Sequence, residues 1–141
     1  MKIKVLFVCI HNSARSQMAE ALLQFHGRDQ FQVESAGLEP GNLNPLAISA
    51  MHEMGIDISD NETSSVFDFR NEDRAYDYVI TVCDESQSER CPIFPGNSKK
   101  LHWSFEDPSS LEGEQSEKLQ KTIKIRNQIE AKIKEFVTNI I

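Results

Sequence analysis

Long apolar runs are missing from this chain. The longest near the N-terminus is the six residues from Val5 to Ile10, far short of the roughly 20 that span a bilayer and unlike a secretory leader. The sequence therefore predicts no membrane segment and no targeting peptide, and the expected compartment is the cytoplasm. Positive charge is also scarce. Fifteen Lys and Arg stand against 22 Asp and Glu, a net charge of −7, which argues against nucleic acid as a general partner. Eleven of the acids and only three of the bases lie between Glu53 and Arg90, so an anionic substrate meets an opposing field that a local device must overcome. With five prolines and six glycines in 141 residues, no linker, repeat or low-complexity tract divides the chain. The expectation is one domain over residues 1–141, long enough to bury most of its unfolded surface without disulfides or a structural metal. Cysteine is limited to three. An odd count with no export signal points to unbridged thiols, metal ligands or redox chemistry rather than a disulfide framework.

What is present is an alternation of periodicities. Lys2 to Cys9 is β-rich with a continuous apolar end, as suits a strand covered on both faces. Ser16 to His26 carries Met18, Ala21, Leu22 and Phe25 at helical spacing and closes at Gly27. Phe31 to Gly37 predicts a second strand. Asn44 then caps a helix with Pro45 at its first position, which stops at Gly55. Tyr76 to Cys83 predicts a third strand and Lys100 to Phe105 a weaker fourth. From about Gln115 onward, Leu119, Ile123, Ile129, Ile133, Phe136, Val137 and Ile140 form the apolar stripe of a long helix. The fold class that follows is α/β, a three-layer sandwich of a four-stranded parallel sheet with helices on both faces. Functional loops then belong at the carboxyl ends of the strands, where Cys9 and Cys83 both fall.

The segment Cys9-Ile10-His11-Asn12-Ser13-Ala14-Arg15-Ser16 ends a strand and opens a helix. A loop of this length can turn successive backbone N–H groups inward as a concave anion site, backed by the positive end of the helix. The Arg15 guanidinium offers a planar fork to two oxygens of a tetrahedral oxyanion. The same field favours the thiolate, the nucleophilic form of Cys9. A lone Cys and Arg six positions apart would be an ordinary buried cysteine before an ordinary helix. The strand-to-helix placement and the small residues around the bend favour chemistry.

The stretch from Phe7 to Glu20, with Cys9 to Ser16 at its centre, resembles the phosphate-loop signature of the low-molecular-weight protein tyrosine phosphatase superfamily. Within that superfamily it is most similar to the thioredoxin-coupled arsenate reductases. Further matches are Glu34-Ser35-Ala36-Gly37, Asn44-Pro45, Gly55 to Ser59, Val79 to Cys83, Cys91-Pro92 and His102 to Pro108, in family order over nearly the whole chain. The resemblance implies Cys9 as nucleophile, the backbone of Ile10, His11, Asn12, Ser13, Ala14 and Arg15 as oxyanion cradle, and the Arg15 side chain as clamp. It implies that Asn12 fixes the loop's shape and that the Ser16 hydroxyl bonds the thiolate. Asp107, before Pro108, corresponds to the general acid; by itself it would read as a turn-starting Asp.

Arsenate copies phosphate in charge and shape, but arsenic(V) accepts two electrons from thiols. The resemblance thus implies a relay in which Cys9 attacks arsenate, Cys83 closes onto Cys9 as arsenite leaves, and Cys91 resolves to a Cys83–Cys91 disulfide that thioredoxin reduces. Glutathione with glutaredoxin is the alternative reductant. Cys83 and Cys91 are separated by the polar stretch 84–90, without an apolar anchor. That stretch must fold back, because a disulfide needs Cα atoms about 4.4–6.8 Å apart. Individually, Cys83 could be a small strand residue and Cys91 an incidental one. A zinc site is disfavoured by the spacing of Cys83, Cys91 and His102, and no cofactor is expected.

His11 and Ala14 depart from the commonest phosphatase pattern, and Ser109-Ser110 stands where tyrosine phosphatases often carry tyrosines. Some related reductases bind potassium with residues matching Asn12, Glu20 and Ser35, but Ser65 stands where a carboxylate is expected. The reading is a monomeric arsenate reductase, with phosphate or sulfate as substrate mimics. Beside it stand a tyrosine or small-molecule phosphatase and a non-catalytic oxyanion-binding module.

Overall fold

The computed structural model describes residues 2–83 and 90–140. Strand β1 (Ile3–Cys9) lies between β2 (Phe31–Gly37) and β3 (Tyr78–Thr81), and β4 (Lys99–His102) completes a four-stranded sheet in the order β2-β1-β3-β4. All three pairings are parallel. Central placement explains the unbroken apolar run of β1, because both of its faces are covered. Val5, Phe7 and Cys9 join Met18 and Leu22 of α1 (Arg15–Gly27), Met51 of α2 (Pro45–Glu53) and the C-terminal helix in one cluster. Leu6 and Val8 face the other way, toward Val66 of α3 (Val66–Asn71), Tyr76 and Phe94. The helices thus cover both faces, as the alternating pattern predicts.

The helix starts follow local chemistry. Asn44 accepts a hydrogen bond from the Leu46 N–H at 2.8 Å, with Pro45 at the first helical position of α2. At α1 the N-cap is Ala14, which has no side-chain oxygen to offer. Its first turn is therefore left with donors directed at the loop after β1. The long helix, α4 (Gln115–Ile140), buries Ile125, Ile129, Ile133 and Phe136 on one stripe. Phe136 lies edge-on to both Trp103 and Tyr78.

Three expectations need correction. The third strand is shorter than Tyr76 to Cys83: Asp77 is taken up by Lys4, whose N–H donates to its carboxylate, and Cys83 lies two residues past the last paired position. The fourth strand ends at His102, because residues after Trp103 turn so that the Phe105 carbonyl reaches Arg15. α3 was not expected. Its six residues are started by Ser65, which accepts from the Phe67 N–H, and are too few to show a helical apolar period.

No helix among the described residues is long and apolar enough to cross a membrane. Ile129 has no exposed surface and sits where α4 meets the sheet-side cluster. Ile129→Ala is expected to lower the unfolding free energy by about 2–5 kcal/mol and Ile129→Val by about 0.5–1.5 kcal/mol, as read by urea denaturation.

Candidate active site

The loop from Cys9 to Arg15 lies at the carboxyl end of β1, and its carbonyls are turned away from its centre. Leu38 N–H donates to the Cys9 carbonyl at 3.1 Å, Glu39 N–H to Ile10 at 2.7 Å, Gly41 N–H to His11 at 3.0 Å and Asn44 N–H to Ser13 at 2.9 Å. With those carbonyls bonded to residues 38–44, the opposite side of the peptides faces the cysteine. The Asn12 N–H does so visibly, donating to Cys9 Sγ at 3.1 Å.

Gly37 permits this stacking. Paired with Cys9 across the ladder, it passes so close beneath the loop that a Cβ would meet Asn12 N, the His11 carbonyl carbon and the Ile10 oxygen at 2.8 Å each. Its own N–H donates to the Ser64 carbonyl. Asn12 pays the conformational cost of the bend, with φ of 53° in the left-handed region. Its fully buried side chain is anchored on both sides. Nδ2 donates to Ser16 Oγ at 2.7 Å and Ser35 Oγ at 3.0 Å, and Oδ1 accepts from Ser64 N–H at 2.9 Å and Gln17 Nε2 at 3.2 Å. Ser16 Oγ accepts from Asn12 and is hydrogen-bonded to Cys9 Sγ at 2.9 Å, a bond in which either atom can donate.

Arg15 is almost wholly buried. Nη1 donates to the Phe105 carbonyl at 3.2 Å and Nη2 lies 3.4 Å from Asp107 Oδ2. The other Asp107 oxygen accepts from the Ser109 N–H at 2.9 Å and starts the short 3-10 turn Pro108–Ser110. The structure thus brings Cys9, Asn12, Arg15, Ser16 and Asp107 together from β1, α1 and the turn after β4. His11 is exposed, its ring bonded to the Glu39 carbonyl. Ile10, Ser13 and Ala14 contribute backbone. A cleft of about 390 Å³ opens beside the loop, lined by Ser13, Asn44, Pro45, Pro108, Ser109 and Lys118 among others, and none of its described lining residues is aromatic.

The other cysteines divide between the two faces of the sheet. No disulfide joins any pair. Cys83 is buried in the same cluster as Cys9, whereas Cys91 packs on the opposite face with Leu6, Val8, Tyr76 and Phe94. Beyond the polar stretch 84–90, the chain is held in the core at Cys91. Phe94, stacked edge-on to Tyr76 with ring centres 5.2 Å apart, pins Cys91 into the core. Of the stretch 84–90, residues 84–89 lie outside the described residues. Burial pushes the Cys91 thiol up to about 11, with Lys100 pulling it down and Cys83 adding to the rise.

The residues matched to a potassium site are joined by hydrogen bonds. Asn12 donates to Ser35, and Ser35 donates to Glu20 Oε1 at 2.5 Å; burial raises the Glu20 carboxyl above its usual range. Ser65 is occupied in starting α3. Among the described residues no group of three or more His, Cys, Asp or Glu side chains comes together to hold a metal ion. Sequence reasoning missed Gln17, Ser64 and the 38–44 segment. The signal available was the small Gly37 beside a loop needing outward partners.

Two outcomes are expected. Gly37→Ala should cost about 1–3 kcal/mol by overpacking against backbone and abolish phosphate binding measured by calorimetry. Cys91 should react with iodoacetamide about 100-fold more slowly than an ordinary cysteine at pH 8, since its thiolate fraction is that much smaller, and the rate should climb until pH approaches 11. Peptide mass spectrometry reads the site.

The sequence model of the low molecular weight phosphotyrosine protein phosphatase family matches residues 4–141. The chain is 41% identical to an arsenate reductase of Shouchella clausii over 132 residues, 94% of this chain and 93% of that one. A solved structure of an arsenate reductase in the phosphate binding state is 32% identical, with a TM-score of 0.78 and full coverage of both chains. A thioredoxin-dependent arsenate reductase of Corynebacterium glutamicum is 31% identical with a TM-score of 0.73, covering 99% of this chain and 61% of that one.

Proposed function

The chain belongs to the low molecular weight phosphotyrosine protein phosphatase family, and from that premise we propose that it reduces arsenate to arsenite, with thioredoxin restoring its thiols. The observation that carries this reading is a complete oxyanion loop around Cys9 with a second thiol, Cys83, buried in the same cluster. A phosphoester hydrolase needs one thiolate, because water completes its reaction. The relatives at about 41% identity are arsenate reductases, and a thioredoxin-dependent one shares the fold.

In the proposed reaction the Cys9 thiolate attacks arsenic, and one arsenate oxygen leaves as water with a proton from Asp107. Arg15 holds two of the remaining oxygens once it exchanges its contact with Asp107 for the anion. The Cys83 thiolate then attacks the Cys9 sulfur. As the S–S bond forms, the S–As bond breaks with its electron pair retained by arsenic, which leaves as arsenite. Cys91 next attacks the Cys83 sulfur, Cys9 departs as a thiolate, and thioredoxin's dithiol reduces the Cys83–Cys91 disulfide. The final exchange requires Cys91 to leave the packing described above.

The test couples the protein to thioredoxin, its reductase and NADPH. Arsenate-dependent NADPH consumption is expected from the wild type and should vanish in Cys83→Ser. Cys91→Ser should stop after one turnover with a Cys9–Cys83 disulfide visible by mass spectrometry; continued turnover would exclude the relay. Unchanged NADPH with equal aryl phosphate hydrolysis by wild type and Cys83→Ser would make the protein a phosphatase.

A further inference from the structure

Gln17 is a fully buried polar residue in the first turn of α1, beside the apolar cluster that holds Met18 and Leu22. An amide in such a place is costly unless its hydrogen bonds are made, and here each end is engaged. Nε2 donates to Asn12 Oδ1 at 3.2 Å and to the Glu62 carbonyl at 3.1 Å, while Oε1 accepts from Asn61 Nδ2 at 3.1 Å. Two of these partners lie in the segment that precedes α3, and the third is the left-handed residue of the oxyanion loop.

We infer that Gln17 is a positioning residue for oxyanion binding, holding the Asn12 side chain in the one orientation that supports the loop. The inference rests on reading residues 9–16 as an oxyanion site. Asn12 Oδ1 receives two donors, Gln17 Nε2 and the Ser64 N–H. Turning the Asn12 amide over would set its NH2 group against both, so Nδ2 is kept toward Ser16 and Ser35. That choice commits Ser16 Oγ to accept from Asn12 while it also bonds Cys9 Sγ at 2.9 Å, with its hydrogen available to the sulfur. The same segment is joined to the loop's surroundings twice more. The Ser64 carbonyl accepts from Gly37 N–H, and Thr63 Oγ1 donates to the Gly41 carbonyl at 2.6 Å. Residues 61–64 are therefore a buttress, and Gln17 is the side chain that couples them to Asn12 from within the helix.

Gln17→Met keeps the length of the side chain and removes its polar atoms. Gln17→Glu keeps the acceptor for Asn61 and replaces the donor facing Asn12. Asn61→Ala removes only the outer partner, from an exposed position that leaves folding intact. With folding followed by circular dichroism, both Gln17 variants are expected to weaken phosphate binding by calorimetry about tenfold, and Asn61→Ala about two- to threefold. The arsenate KM should rise by more than kcat falls, and the Asn12 side-chain NH2 resonances should shift in both Gln17 variants. Gln17→Met that is folded and binds phosphate as the wild type does would overturn the inference, as would wild-type affinity in Asn61→Ala should neither Gln17 variant fold. A wild-type protein that binds no phosphate would overturn the oxyanion reading itself, and the role of Gln17 with it.

Discussion

A loop that presents N–H groups to an anion must dispose of its carbonyls elsewhere, and here they go to the segment that follows β2. Four N–H groups between Leu38 and Asn44 take the carbonyls of Cys9, Ile10, His11 and Ser13. Without those bonds the loop would leave buried acceptors unpaired, a cost that would favour some other conformation. The site therefore depends on the parallel pairing of β1 with β2, which brings Gly37 level with Cys9 and launches the following residues along the loop. The ladder does more than build a sheet. It sets the register in which one loop can satisfy another.

Side chains complete what the backbone starts. Asn12 occupies a left-handed conformation that a residue other than glycine adopts at some cost, and four hydrogen bonds to its amide offset it. The buried Arg15 guanidinium is held by a carbonyl and a carboxylate from the turn after β4. For the proposed oxyanion, this local arrangement is what opposes the net charge of −7. A guanidinium and backbone dipoles at hydrogen-bond distance outweigh carboxylates spread over a solvated surface, because water and salt screen the latter far more strongly.

Much of this was legible in the sequence. The continuous apolar end of β1 marked a central strand, Asn44-Pro45 marked a helix start, and the Cys9-to-Ser16 string marked the loop; all lie where the residues predict. Cooperation between distant segments was not legible. Gln17 reads as one polar position on an amphipathic helix, and only the folded chain places Asn61 and Glu62 over it. Cys91 alone reads as an incidental loop cysteine beside Pro92, and only the folded chain packs it with Phe94 in the core. α3 spans six residues, too short for periodicity to declare. In each case the deciding contact lies across the sheet or far along the chain, where a local pattern holds no information.

The burial of Cys91 has a thermodynamic consequence for the disulfide proposed for it. As a thiol it packs against Tyr76 and Phe94, 7% exposed. Any disulfide that draws it toward the opposite face of the sheet forfeits that packing. Interactions made only by the dithiol stabilise the reduced protein and make the couple a stronger oxidant, so that its reduction potential lies higher than that of an unstrained surface pair. A core side chain would then set the direction of electron flow: the better Cys91 fits its place beneath the sheet, the more readily a reducing partner returns it there.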